Sequence, residues 1–127
     1  MLEEIGLGYV TLGQATSTLS GGETQRLKLA SHLLQESSGK GLFIFDEPTT
    51  GLHMHDVNKL LTIFRKLVAD GNTVIVVEHN LDVIRASDRI IDLGPEGGDK
   101  GGSLVYSGAP SEISSCVGSF TAKALRV

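Results

Sequence analysis

A single cysteine, Cys116, stands in a chain of 127 residues. One thiol closes no internal disulfide, which excludes a stapled secreted scaffold and points to a reducing, cytoplasmic compartment. The four histidines are scattered, and with one cysteine they give no local zinc spacing. His53 and His55 are spaced like a metal pair, but nothing nearby completes a site, and both read as solvent-facing or interface residues. No apolar run approaches the roughly 18 residues of a membrane span. The N-terminus lacks the basic-then-apolar order of a secretory signal. A basic excess is missing too: the net charge is −4, so no nucleic-acid footprint shows by itself. Internal repeats and low-complexity tracts are absent. What remains, 40% apolar and 20% charged, is the composition of a soluble globular chain with a modest core.

A phosphate loop is also missing. The glycine run at 94–102 lacks the Gly-x-x-x-x-Gly-Lys-Ser/Thr order. Gly39-Lys40 fails as well, with Leu34 where the first glycine belongs and Gly41 where the hydroxyl residue belongs. Both read as turns.

Among the motifs present, Leu19-Ser20-Gly21-Gly22-Glu23-Thr24-Gln25 organises the chain. Ser20 and Glu23 form a capping box, which starts a helix. Leu27, Ala30, Leu33 and Leu34 follow at helical spacing. Alone, Ser-x-x-Glu is an ordinary helix cap. The two glycines leave the first-turn amides without side-chain cover, so the helix tip and its dipole suit a phosphate.

A short helix is expected around Leu2 to Leu7, and the main helix from Gly21 to about Gln35, closed by the turn at 37–41. Leu42-Phe43-Ile44-Phe45 is a continuous apolar run, the pattern of a strand buried on both faces in a parallel sheet. A helix is expected from Met54 to Asp70, with Val57, Leu60, Leu61, Phe64, Leu67 and Val68 on one face. Thr73-Val74-Ile75-Val76-Val77 reads as a second buried strand ending in Glu78-His79. This alternation implies a crossover into a parallel sheet. A short helix (Leu81 to Arg85), a strand (Arg89 to Leu93) and an edge strand (Ser103 to Ser107) follow.

Ligands of open α/β sheets bind beyond the carboxyl ends of the strands. Asp46, Glu47 and His79 are all expected there. Asp46 would serve Mg2+ through water, because Mg2+ keeps much of its hydration shell. Glu47 would orient or deprotonate the attacking water, and His79 would reach a γ-phosphate. Alone, the two acids could equally cap a strand, and His79 could be structural.

The order signature (19–25), apolar strand with Asp46-Glu47 (42–47) and histidine (79) resembles the ABC-type ATPases. Glu47-Pro48-Thr49-Thr50-Gly51-Leu52-His53, Asp92-Leu93-Gly94-Pro95-Glu96-Gly97-Gly98, Gly101-Gly102 and Ser107-Gly108 are similar to the UvrA family, the A subunits of the excinuclease ABC complex. Transporter ATPases have Ser-Ala-Leu-Asp where this chain has Thr-Gly-Leu-His. A UvrA-like drug-resistance protein or a transporter ATPase fragment is the alternative.

The resemblance covers about residues 5–125. It implies an α/β, partial P-loop NTPase (ABC ATPase) fold, a mostly parallel sheet flanked by helices, with the Walker A half missing. Residues 1–127 would be the C-terminal part of a second ABC module. It further implies ATP and Mg2+ as cofactors, with zinc confined to segments this chain lacks. The partners it implies are a second UvrA, UvrB and damaged DNA in bacterial nucleotide excision repair, with no membrane. By this resemblance Ser20, Gly21, Gly22, Glu23 and Gln25 meet the nucleotide held by another half-site, Asp46 serves Mg2+, Glu47 the water and His79 the γ-phosphate. Thr50 to His53 match the loop between paired sites. The Walker A strand would lie between the His79-bearing strand and the Arg89–Leu93 strand. Its absence predicts open strand edges, self-association and no ATP hydrolysis by the chain alone.

Overall fold

The computed structural model describes residues 7–11, 13–33, 40–96 and 101–126. The chain divides into two compact units, Met1–Glu78 and His79–Val127. The expected helix around Leu2 lies almost wholly outside the described residues; Leu7 is fully buried and packs with Ala30, Val10, Leu27 and Ile63.

In the first unit, helix α1 spans Gly21–Leu33; its expected continuation to Gln35 and most of the following turn lie outside the described residues. The capping box forms as expected. The Ser20 amide donates to Glu23 Oε2 at 2.6 Å, and the Glu23 amide donates to Ser20 Oγ at 3.3 Å. Strand β1 (Leu42–Asp46) pairs in parallel with β2 (Thr73–Val77), with Ile44 opposite Ile75 and Asp46 opposite Val77. The crossover between them carries helix α2, Met54–Ala69. Its buried face is Val57, Leu60, Leu61, Phe64 and Leu67. Burial stabilises each of these by about 1.5–3 kcal/mol, well beyond what helix propensity alone supplies. Val68, expected on that face, is 43% exposed.

Asn72 ties the end of α2 to the start of β1. Its Nδ2 donates to the Leu67 carbonyl at 2.9 Å, and its Oδ1 accepts from the Gly41 amide at 2.8 Å. Gly71 takes φ +90°, the left-handed step that ends a helix.

The two strands are covered on one face only. Phe45 meets Phe64 of α2 with ring centroids 4.9 Å apart, and Phe43 stacks beside Phe45. On the other face Leu42, Ile44, Ile75 and Val77 are 61%, 64%, 46% and 55% exposed. This corrects the expectation of strands buried on both faces: α2 covers one side, and nothing among the described residues closes over the other.

In the second unit, helix α3 (Leu81–Ala86) is capped by Asn80, whose Oδ1 accepts from the Asp82 and Val83 amides at 2.9 and 3.4 Å. Strands β3 (Ile90–Gly94) and β4 (Ser103–Gly108) pair antiparallel, with an irregularity between Asp92 and Leu93. The mostly parallel arrangement is therefore confined to β1 and β2. The connection from β3 to β4 is too short for the crossover that parallel pairing requires. Helix α4 (Phe120–Leu125) starts at Ser119, whose Oγ accepts from the Ala122 amide at 2.8 Å and donates to Asp92 Oδ2. Ile90, Ile113 and Ala122 form this unit's core, with Ile84, Tyr106 and Leu125 against it.

Among the described residues β2 pairs only with β1, and β3 only with β4. Among these residues each of the four strands therefore keeps one edge without a strand partner. No helix among the described residues is long and apolar enough to cross a membrane.

Candidate functional site

The site is built where α1 begins and β1 ends. The capping box uses the Ser20 hydroxyl and the Glu23 carboxylate on each other's amides, so these two side chains shape the helix tip. The two glycines differ. Gly21 is exposed, and a Cβ added there would meet nothing within 4 Å. Gly22 is buried, and a Cβ there would lie 3.3 Å from Arg26 Nη1 and 3.4 Å from the Glu47 carbonyl oxygen. Gly21 leaves the tip open to an incoming group, while Gly22 lets the helix press against the loop after β1.

Gln25 closes the gap between helix and strand. Its Nε2 donates to the Asp46 carbonyl at 2.9 Å, and its Oε1 accepts from the Asp46 amide at 2.9 Å. This side chain, expected at the nucleotide, occupies both backbone groups of Asp46. The Asp46 carboxylate, at the carboxyl end of β1, belongs to an exposed residue on the open face of the sheet.

Glu47 follows with φ 46°, the left-handed region that side chains rarely adopt. That conformation costs about 1–2 kcal/mol outside glycine, and such costs collect at functional sites. Three sets of bonds hold it. The Glu47 amide donates to the Val77 carbonyl at 2.8 Å, which extends the β1–β2 ladder by one bond. The Thr50 amide donates to the Glu47 carbonyl at 3.1 Å, closing a turn. Arg26 Nη1 donates to the carbonyls of Pro48 at 2.6 Å and Thr50 at 3.3 Å.

Arg26 is only 1% exposed, and its Nε has no hydrogen-bond partner among the described residues. Burial pushes its pKa below the ordinary guanidinium value, with Glu23 and Asp56 pulling the other way. Sequence pattern alone does not single out Arg26; its place one residue after Gln25 on a capped helix is the available signal. Nor does it single out Glu78. Glu78 Oε1 accepts from the Thr49 amide at 2.9 Å and from the Thr49 hydroxyl.

The first unit thus brings Ser20, Gly21, Gly22, Glu23 and Gln25 into one assembly with Asp46 and Glu47. His79 is exposed and opens the second unit, immediately before the Asn80 cap. His53 and His55 are exposed at the start of α2. Among the described residues no three His, Cys, Asp or Glu side chains are placed to hold a metal ion by themselves. That fits Mg2+ in nucleotide sites, where one or two carboxylates share the ion with phosphates and water.

No protein-family model matches the chain. UvrABC system protein A of Rickettsia felis is 59% identical over 125 residues, 98% of this chain and 13% of that protein. The protein of the same name from Streptococcus pyogenes serotype M1 is 58% identical over 126 residues, again 13% of its length. The crystal structure of UvrA2 from Deinococcus radiodurans superposes with a TM-score of 0.89 at 46% identity, over 98% of this chain and 15% of that one. In sequence and in fold, the chain matches a segment of UvrA. The chain spans about an eighth of the length of these UvrA relatives. A more distant likeness, TM-score 0.65 at 31% identity over 87% of this chain and 20% of the other, is to the archaeal ribosome recycling factor aABCE1, solved in complex with the stalk protein aP1. The α/β fold is that of a partial ABC ATPase, as the UvrA match requires.

Proposed function

We propose that this chain is the C-terminal part of the second ATPase module of a UvrA protein, acting in bacterial nucleotide excision repair. In this reading Gly21 and the first-turn amides of α1 receive the γ-phosphate of ATP bound to another half-site. The same chain directs Asp46 toward Mg2+ and Glu47 toward water at its own half-site; His79 is assigned to a γ-phosphate by the UvrA likeness alone. Bound ATP supplies the phosphoryl group, and Mg2+ offsets its developing charge. The chain's residues supply orientation and proton acceptance. With a net charge of −4, the chain's part is nucleotide-dependent control; damaged DNA, UvrB and the second UvrA are partners of the longer protein, in the cytoplasm.

The observation that carries this is the Gln25–Asp46 bridge. It ties the phosphate-ready helix tip to the strand end bearing the two acids.

The test mixes the purified chain with a polypeptide bearing the phosphate-loop lysine of a UvrA module. Alone, the chain releases phosphate from Mg-ATP at background rate, because the lysine and amide cradle are supplied elsewhere. The mixture binds and hydrolyses Mg-ATP. Glu47→Gln keeps binding and loses roughly 10²-fold or more in turnover, the range for a lost general base. Turnover by the chain alone that disappears in Glu47→Gln overturns the reading, and so does a mixture that binds no nucleotide.

A further inference from the structure

We propose that Glu78 and Arg26 are positioning residues that clamp residues 48–50 from two sides and so hold Glu47 in its left-handed conformation. The inference rests on the reading of Glu47 as the acid that orients water. It adds two side chains which that reading does not use.

The geometry is specific. Each of the three residues after Glu47 has a backbone group held by a charged side chain. Pro48 and Thr50 give their carbonyls to the guanidinium of Arg26, at 2.6 and 3.3 Å. Between them, Thr49 gives its amide to the carboxylate of Glu78 at 2.9 Å, and its hydroxyl to the same oxygen. The two charges come from separate elements: Arg26 lies on α1, and Glu78 follows the last residue of β2. Their demands are opposite in sign, so one side chain cannot replace the other. An acid binds the N–H at 49 and a cation binds the flanking carbonyls. Together they fix the direction of the chain as it leaves Glu47, whose own amide is pinned to Val77.

A buried arginine with two backbone acceptors could be packing alone. The Thr49–Glu78 pair separates the alternatives, because it can be cut without opening the space around Arg26. Thr49→Val removes the hydroxyl bond at nearly constant volume, Thr49→Ser restores it, and Glu78→Gln keeps the acceptor but removes the charge.

The test has two arms. In the isolated chain, amide hydrogen exchange is followed at Glu47, Thr49 and Thr50, with the α2 amides as the internal reference. Glu78→Ala raises exchange at these three amides roughly tenfold or more, as expected for loss of a charge-assisted bond, while α2 is unchanged. Thr49→Val gives a smaller rise, and Thr49→Ser returns it. In the mixture with the phosphate-loop partner, Glu78→Ala and Arg26→Lys lower kcat roughly tenfold and leave KM for Mg-ATP unchanged, the signature of a misplaced group and not of lost binding.

Unmoved exchange at all three amides overturns the clamp even if the mixture is active. Exchange that rises with kcat unmoved overturns the positioning role. An unaltered mixture without turnover rejects the proposed function, and the exchange arm still decides whether the clamp exists. A Glu78→Ala chain that fails to fold is replaced by Glu78→Gln, for which a smaller local rise in exchange is expected and no rise counts against the clamp.

Discussion

Gly21 and Gly22 are neighbours in one motif, yet the structure assigns opposite outcomes to Gly21→Ala and Gly22→Ala. Replacing glycine by alanine in a helix gains up to about 1 kcal/mol from propensity. At Gly21 that gain is free, since nothing lies within 4 Å of the new Cβ and the residue has no positive φ. At Gly22 the methyl arrives 3.3 Å from Arg26 Nη1, 3.4 Å from the Glu47 carbonyl oxygen and 3.7 Å from Thr50 Cβ. Something must move by a few tenths of an ångström. Arg26 is 1% exposed and bonded to two carbonyls, so its guanidinium cannot swing into water. Loss or stretching of one such charge-assisted bond costs about 1.5–3 kcal/mol. Set against the propensity gain, Gly22→Ala destabilises by about 1 kcal/mol, and the two variants differ by about 2 kcal/mol. Urea unfolding of the isolated chain, compared at equal slope, reads this gap directly. The nucleotide effect need not follow stability: Gly21→Ala stabilises the chain but crowds the tip where a phosphate is proposed to sit, so it weakens Mg-ATP binding in the mixture. If Gly22→Ala stabilises as much as Gly21→Ala, the close approach of α1 to the loop is wrong, and the clamp argument loses its footing.

Gln25→Glu keeps the bond from the Asp46 amide but loses the one to its carbonyl and sets a carboxylate against it; a loss of about 1 kcal/mol is expected from denaturant midpoints, and no loss would remove the bridge from the account. Asn80→Ala removes the cap of α3 and costs about 1 kcal/mol, seen as faster amide exchange confined to 81–86; unchanged exchange there would deny the cap its role. The exposed face of Leu42, Ile44, Ile75 and Val77, beside the outer edge of β2, makes the isolated chain self-associate, and Ile44→Lys reduces this; sedimentation as a clean monomer at high concentration would contradict it.

Local pattern makes part of this site legible in the sequence. Ser20 and Glu23 act on each other across one helical turn, so their spacing alone announces the α1 start. The α2 face follows the same logic, and Val68 at its margin shows where the pattern ends. Asp46 and Glu47 fall at a strand end because an apolar run must stop where its charges begin. What sequence pattern does not encode is pairing at a distance. Arg26 acts on residues 22 and 24 positions away, and Glu78 on one 29 positions away. Neither separation leaves a period to read, and nor does the 21-residue separation of Gln25 from the Asp46 backbone it bridges. The open face of β1 and β2 teaches a different point. Leu42, Ile44, Ile75 and Val77 read as doubly buried because a continuous apolar run carries no mark of which face a neighbour covers. The chain supplies α2 for one face and, among the described residues, nothing for the other. An apolar run therefore reports that a strand suits burial, and not that both of its faces are covered among the described residues.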